Sequence, residues 1–264
     1  MKKTRLVAAA IMIFAFMATV FFSCKKDNNS SSQGTARVNF HLTDGPGPYD
    51  AVYVDIQQVE VHSDISGWVT LTPVHPGIYN LLDFSNGMDT LLVAADIPAG
   101  TISQMRLVLG ANNSVIVNGT AYNLGTPSAQ ESGLKLNLNQ SFTAGGAYDV
   151  WIDFDAGRSI LQTGNGQYKL KPVIRAYSAT TNGKIKGVVL PLTANAMVYA
   201  INGTDTSSAI PDAAGNFVIS GLVDGTYTLW VNPSIVSGLQ DKLLPNLTVT
   251  YGNTTNVGTI ILVP

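Results

Sequence analysis

Apolar and polar residues alternate with a period of two along most of the chain. In "RVNFHL", Val38, Phe40 and Leu42 point one way while Arg37, Asn39 and His41 point the other. In "GLKLNLN", Leu134, Leu136 and Leu138 alternate with Lys135, Asn137 and Asn139. Such alternation belongs to strands with one face in a core and one toward water, as in antiparallel sheets. "AYDVWIDFD" sets Val150, Ile152 and Phe154 on one face. "SVIVNGTAYNL" carries Asn118-Gly119 between two such runs, and a type I′ hairpin turn needs positive φ at both positions. "QYKLKPVIRAY" continues the sheet, with Pro172 predicting an edge or a bulge because it has no N–H for a ladder. "IYNLLDFSNGMDTLLVA" fits either a helical turn or an irregular strand.

"SATTNG", residues 178 to 183, interrupts the pattern with small polar residues and predicts a domain boundary. Beyond it short strands recur at regular spacing: "KIKGVVL", "AMVYAI", "NFVISG", "TYTLWV", "NLTVTYG" and "VGTIILV". The expected fold class is all-β, with two antiparallel β-sandwich domains at residues 35–178 and 182–264.

The beginning of the chain follows a different pattern. Lys2, Lys3 and Arg5 precede an uncharged run from Leu6 to Phe22, too short to span a bilayer comfortably. A basic start, an apolar centre and the small Ser23 predict a cleaved signal peptide, residues 1–23. Cys24, the only cysteine, follows at once. The arrangement resembles the lipobox of bacterial lipoproteins, although Phe21 and Phe22 depart from its usual lead-in. The resemblance implies a diacylglycerol on Cys24 and anchoring in a membrane. Residues 24–34, rich in Lys, Asn and Ser, read as a flexible tether. Lys25 in place of aspartate favours the outer membrane, and leaves open whether the domains face the periplasm or the cell surface.

Charge narrows the classes of function. Without residues 1–23, which hold three cations and no acid, 12 cations face 17 acids, a charge of −5. No basic patch supplies the electrostatic footprint of nucleic-acid binding. With one cysteine, at the lipid position, internal disulfides and zinc-type Cys/His clusters are excluded.

Two family resemblances emerge. "DAAGNFVISGLVDGTYTLWV", with Gly215, Gly221-Leu222 and Gly225-Thr226-Tyr227, is similar to carboxypeptidase regulatory-like (transthyretin-like) modules across roughly residues 182 to 264. That resemblance implies a non-catalytic accessory sandwich. "FHLTDGPGPYDAVYVDIQQVEVH", "IPAGTISQMRLVLG", "SGLKLNL" and "WIDFDAGRSI…YKLKPVIRA" resemble a bacterial secreted family, domain of unknown function 4382 (DUF4382). That family implies no assigned activity.

Candidate chemistry is sparse. In "YDVWIDFDAGRS", Asp149, Trp151, Asp153 and Asp155 are expected on the face opposite Val150, Ile152 and Phe154. Asp-x-Asp-x-Gly matches the opening of a calcium loop, and Asp44 in "LTDGPGPYD" adds a carboxylate on a loop able to approach. Arg158 and Ser159 occupy the region where an EF-hand would place further acids, so Asp149, Asp153, Asp155 and Asp44 are only a candidate calcium set. The blander reading gives solvated acids, with Asp155 capping a turn and Arg158 pairing locally. Trp151 and Trp230 lie off the core register and are candidate ligand-binding residues, able to stack on sugar rings or to bury at a domain or loop contact. Trp68 is expected in the core. His41, His62 and His75 lie in no serine-elbow or metal spacing, and His41 reads as an ordinary surface histidine. "GPGP" lacks the Gly-Lys-Ser/Thr ending of a phosphate loop. Asp89-Thr90-Leu91 resembles a bacterial O-glycosylation sequon.

The sequence therefore predicts a lipid-anchored, non-catalytic protein that binds or displays a glycan or protein ligand, with no obligatory cofactor. The alternatives are a spacer in a cell-surface assembly and a hydrolase built on a carboxylate pair, which needs only two placed acids.

Overall fold

The run "RVNFHL" lies in β1 (Thr35–Gly45), where Ala36, Val38, Phe40 and Leu42 are buried and the residues between them are more exposed. The structure, a computed structural model, describes residues 34–126, 132–178 and 182–264. The signal peptide, Cys24, nearly all of the tether and the centre of the 178–183 boundary lie outside the described residues.

β1 is followed by β2 (Ala51–Ser63), β3 (Gly67–Leu71), β4 (Gly77–Asn80), β5 (Thr90–Pro98), β6 (Gly100–Leu109), β7 (Ser114–Val117) and β8 (Thr120–Gly125). Then come β9 (Leu134–Phe142), β10 (Ala147–Asp155), the single helical turn α1 (Ala156–Ser159), β11 (Ile160–Gln162), β12 (Tyr168–Leu170) and β13 (Ile174–Ser178). A four-stranded sheet in the order β13-β10-β1-β5 faces a nine-stranded one, β11-β12-β8-β7-β2-β6-β9 with β3 and β4 also on β2. Their inner faces share one core, in which Phe40, Phe154, Leu42, Ile56, Ile102 and Leu107 are fully buried. Each such side chain stabilises the fold by about 1.5–3 kcal/mol. Asn118 and Gly119 both have positive φ between β7 and β8, the hairpin their identities demand. The ambiguous stretch resolves into β4, a 3-10 turn at Leu81–Phe84 and β5. Pro172 sits between β12 and β13, where the chain leaves one sheet for the other.

The second part holds β14 (Gly183–Leu190), β15 (Met197–Asn202), β16 (Asp205–Ala209), β17 (Asn216–Leu222), β18 (Gly225–Asn232), β19 (Lys242–Val249) and β20 (Thr254–Ile261). Sheets β17-β14-β20 and β16-β15-β18-β19 enclose a separate core that includes Ile185, Phe217, Leu229 and Val231. The antiparallel character is broken at three pairings: β1 with β10, β8 with β12, and β14 with β20 are parallel. From Gly34 to Pro264 both sandwiches belong to one compact unit.

Candidate functional site

Strands β1, β10 and β13 run in register, so their outward side chains form rows across the four-stranded sheet. Asn39 and Asp149 make one row, His41, Trp151 and Tyr177 the next, and Thr43, Asp153 and Arg175 the third. The middle row is a stack: His41 lies 5.2 Å from Trp151 at 20°, and Trp151 lies 5.9 Å from Tyr177 at 11°. The indole N–H donates to Asp89 Oδ2 at 2.8 Å, while the His41 ring nitrogens lie 3.0 Å from Asp89 Oδ1 and 3.3 Å from Asp149 Oδ1. The Asn39 amide, helped by His41, holds the Asp149 carboxyl below the usual carboxylate range.

This geometry corrects two expectations. Trp151 is no open platform, since a ring covers each of its faces and sugar stacking needs a free one. His41 is not an idle surface residue, because it ties the stack to two acids.

The third row reaches the second sandwich. Arg175 donates through Nε to Asp153 Oδ2 at 2.7 Å, and its Nη2 lies 2.5 Å from the same oxygen. Its remaining N–H groups reach Ser207 Oγ at 2.5 Å, Ser220 O at 3.1 Å and Gly221 O at 3.4 Å. Asp153 is thus spent on a clamp between the sandwiches. Arg158 adds a bond to Thr206 O at 2.9 Å. Asn86, at φ 58° in the turn before β5, donates to Asn216 O and accepts from Val218 N–H at 2.6 Å, standing in for a strand beside β17. Gly221, at φ 71°, lies so close to Tyr177 that a Cβ would sit 2.5 Å from its ring.

Asp44 and Asp155 close the ends of the paired strands β1 and β10. Asp155 Oδ1 accepts from the Arg158 backbone N–H as the cap of α1, and Asp44 Oδ1 accepts from Ala156 N–H at 2.9 Å. Gly47 and Gly157 bring the two backbones together there: a Cβ on Gly47 would meet Gly157 Cα at 2.6 Å. Burial pushes the Asp155 carboxyl up to about 6, and raises Asp44 well above its usual range. Asp44 Oδ2 is buried with no hydrogen-bond partner.

Of the four candidate calcium ligands, Asp153 and Asp155 lie close enough to Asp44 for their charges to add to the effect of burial on its carboxyl, while Asp149 stands apart. Asp149 lies two rows from Asp153, Asp153 is bound by Arg175, and Asp155 and Asp44 each hold a backbone N–H. Among the described residues no group of three or more His, Cys, Asp or Glu side chains is arranged to hold a metal ion.

Trp230 stacks on Tyr199 at 5.1 Å and donates to Asp241 Oδ2 at 2.9 Å. Its other neighbour in register is the exposed Leu243, and like Trp151 it is half-buried. Trp68, expected in the core, is 36% exposed, with the Arg106 guanidinium 3.6 Å over its ring, a cation–π contact that suits a surface aromatic. Beyond Asp241 opens a groove of about 880 Å³ at one end of the second sandwich. The residues that sequence reasoning missed are Arg175, Asp89, Tyr177 and Asn86. Arg175 and Tyr177 have a cue in the "LKPVIRAY" stretch, Asp89 only in the Asp89-Thr90-Leu91 triplet, and Asn86 only in the turn-forming Asn86-Gly87.

No curated protein matches the sequence. A C-terminal interface mutant of a type II cohesin–X-dockerin complex from Acetivibrio cellulolyticus is 22% identical over 30% of this chain, with a TM-score of 0.25. This chain covers 56% of that one. GBS52, the minor pilin of Streptococcus agalactiae, is 12% identical over 88% of this chain and 97% of its own, with a TM-score of 0.23. The shaft pilin SpaA of Lactobacillus rhamnosus GG is 11% identical over 87% and 99%, with a TM-score of 0.25. The family described as "Domain of unknown function (DUF4382)" matches residues 35–172. That match takes in β1 through β12, more than half of the chain, and the chain belongs to the DUF4382 family.

Proposed function

We propose that this chain is a lipid-anchored, non-catalytic protein of the outer membrane that presents a binding surface for a glycan or protein ligand on a stiff two-sandwich body. Arg175 carries the reading: one guanidinium holds Asp153 in the first sandwich and Ser207, Ser220 and Gly221 in the second. A jointed connection would leave the sandwiches to move independently, the default where an interface is small. In this reading Cys24 bears the lipid, residues 24–34 form the leash, and residues 182–264 are a carboxypeptidase regulatory-like module. The acids with the best claim to chemistry are engaged instead in structure, Asp153 by Arg175 and Asp155 by α1, which weighs against the hydrolase alternative. The spacer alternative draws on the same clamp and differs only in needing no ligand surface.

Spin labels on cysteines placed at Lys135 and Lys186, one in each sandwich, test the stiffness in the full chain held in detergent. A single narrow distance distribution is expected, broadening in Arg175→Ala. A broad distribution in the unaltered chain would defeat the proposal. Incorporation of labelled palmitate that is lost in Cys24→Ser tests the anchor, and an unlabelled product would defeat that part alone.

A further inference from the structure

The groove at the end of the second sandwich is built from the connections that follow strands β14, β16 and β18, together with Pro48 from the loop after β1. It shares Asn195, Ala196 and Ile210 with an adjoining hollow of about 260 Å³, and groove and hollow together make up a depression there. Three properties of the lining define what fits.

First, the apolar surface is aliphatic. Met197, Ile210 and Leu239 line it, and Ile235, 97% exposed on the 3-10 turn Ile235–Ser237, stands at its rim beside Val236, 87% exposed. Trp230 and Tyr199 stack on each other nearby and do not line the depression. Sugar rings favour aromatic faces, whereas aliphatic hollows take the branched side chains of a polypeptide.

Second, the side-chain amides of Asn195, Asn232 and Gln240 line the groove without a hydrogen-bond partner among the described residues. A primary amide offers both a donor and an acceptor, the complement of a peptide unit in an extended backbone. Third, the charges on the lining are both negative, Asp241 in the groove and Asp212 in the adjoining hollow. An acidic ligand is disfavoured there, and a neutral or basic one is favoured.

We infer that this depression binds an extended peptide segment of a protein partner, neutral or basic and carrying aliphatic side chains. The inference rests on the binding reading proposed above and gives it a place and a ligand class. The chain enters the described body at Gly34 and β1 carries it about 35 Å, at roughly 3.3 Å per residue, to the loop that supplies Pro48. The groove thus borders both sandwiches, a strand's length from Gly34, where the chain enters the described body.

The probe is a phage-displayed library of random 12-residue peptides selected on the full chain in detergent, with an array of neutral oligosaccharides run in parallel. Enriched peptides are expected to carry spaced Val, Ile or Leu and few acids. Their binding should fall at least tenfold in Asn232→Ala and in Leu239→Asp, and remain within twofold in Lys135→Ala, an exposed position on the other sandwich. Circular dichroism of each variant separates lost binding from lost folding, and the milder Gln240→Ala substitution, expected to weaken binding likewise, serves as a second variant if Leu239→Asp unfolds. Enrichment of acidic peptides, binding indifferent to Asn232, retention of oligosaccharides in place of peptides, or no enrichment at all would each overturn the inference. The spin-label distances are unaffected by any of these results, so a stiff body with no peptide site would leave the display reading standing while removing this one.

Discussion

Trp151 shows how far one position constrains its neighbours. On the middle strand of three, its ring has a partner on each side, and its N–H finds Asp89, one of the two acids that meet His41. A side-chain hydrogen bond to a charged group contributes about 1.5–3 kcal/mol, here reduced because Asp89 is partly exposed. Trp151→Phe and Asp89→Ala should each lower stability in urea by roughly 1 kcal/mol. Because both remove the indole–carboxylate bond, and Asp89→Ala also the contact with His41, the double variant should lose less than the sum of the two, a coupling that a double-mutant cycle measures. Arg175→Ala should cost more, about 2–3 kcal/mol, because it strands the buried Asp153, whereas the partial exposure of Arg175 itself holds the cost below that of a fully buried pair. At this scale the sequence told which side of a strand a residue occupies and not what lies beyond it. The alternation placed Trp151 outside the core, but its acceptor is 62 positions away and in no motif with it.

At the scale of elements, the strongly patterned strands were legible and the weak ones were not. β1, β9, β10 and the β7–β8 hairpin follow from alternation and from Asn-Gly. β16, "DTSSA", has almost no apolar content, yet Ala209 is buried in the second sandwich's own core and Ser207 is buried with the Arg175 guanidinium against its hydroxyl. The parallel pairing of β1 with β10 was equally invisible, since alternation reads the same whichever way the partner runs. That pairing places Gly45 opposite Asp155 and packs α1 against the loop after β1, which gives the conspicuous "TDGPGP" and "DFDAGRS" stretches a shared structural role.

The α1 cap also carries a pH dependence. Burial raises the Asp155 carboxyl from 3.8 to about 6, so the folded state holds the proton more tightly than the unfolded one. The stability this proton confers is complete below about pH 4 and is lost as pH rises through 6. Asp44, raised for the same reason, acts in the same direction. A shift of two units corresponds to about 3 kcal/mol. The thermal midpoint should therefore climb between pH 7 and pH 5. Asp155→Asn, which keeps a capping oxygen and cannot ionise, should raise the midpoint at pH 7 and flatten that climb.

For the whole molecule, the two-sandwich plan was readable from strand spacing, whereas the clamp between the sandwiches was not. Its parts come from β10, β13, β16, β17 and the Asn86 turn, and only the folded chain brings them together. The groove was illegible for the same reason, being assembled from four separate connections whose amides and aliphatic side chains look like ordinary loop composition.

Asn86 has a consequence for how such a body can be divided. Its amide occupies one donor and one acceptor on the margin of β17, the side on which that sheet has no further strand. Residues 182–264 made on their own would bare that margin, and open strand margins recruit others of their kind. The severed half should sediment as dimers or larger species, while the intact body, plugged by a single asparagine, stays solitary at that seam.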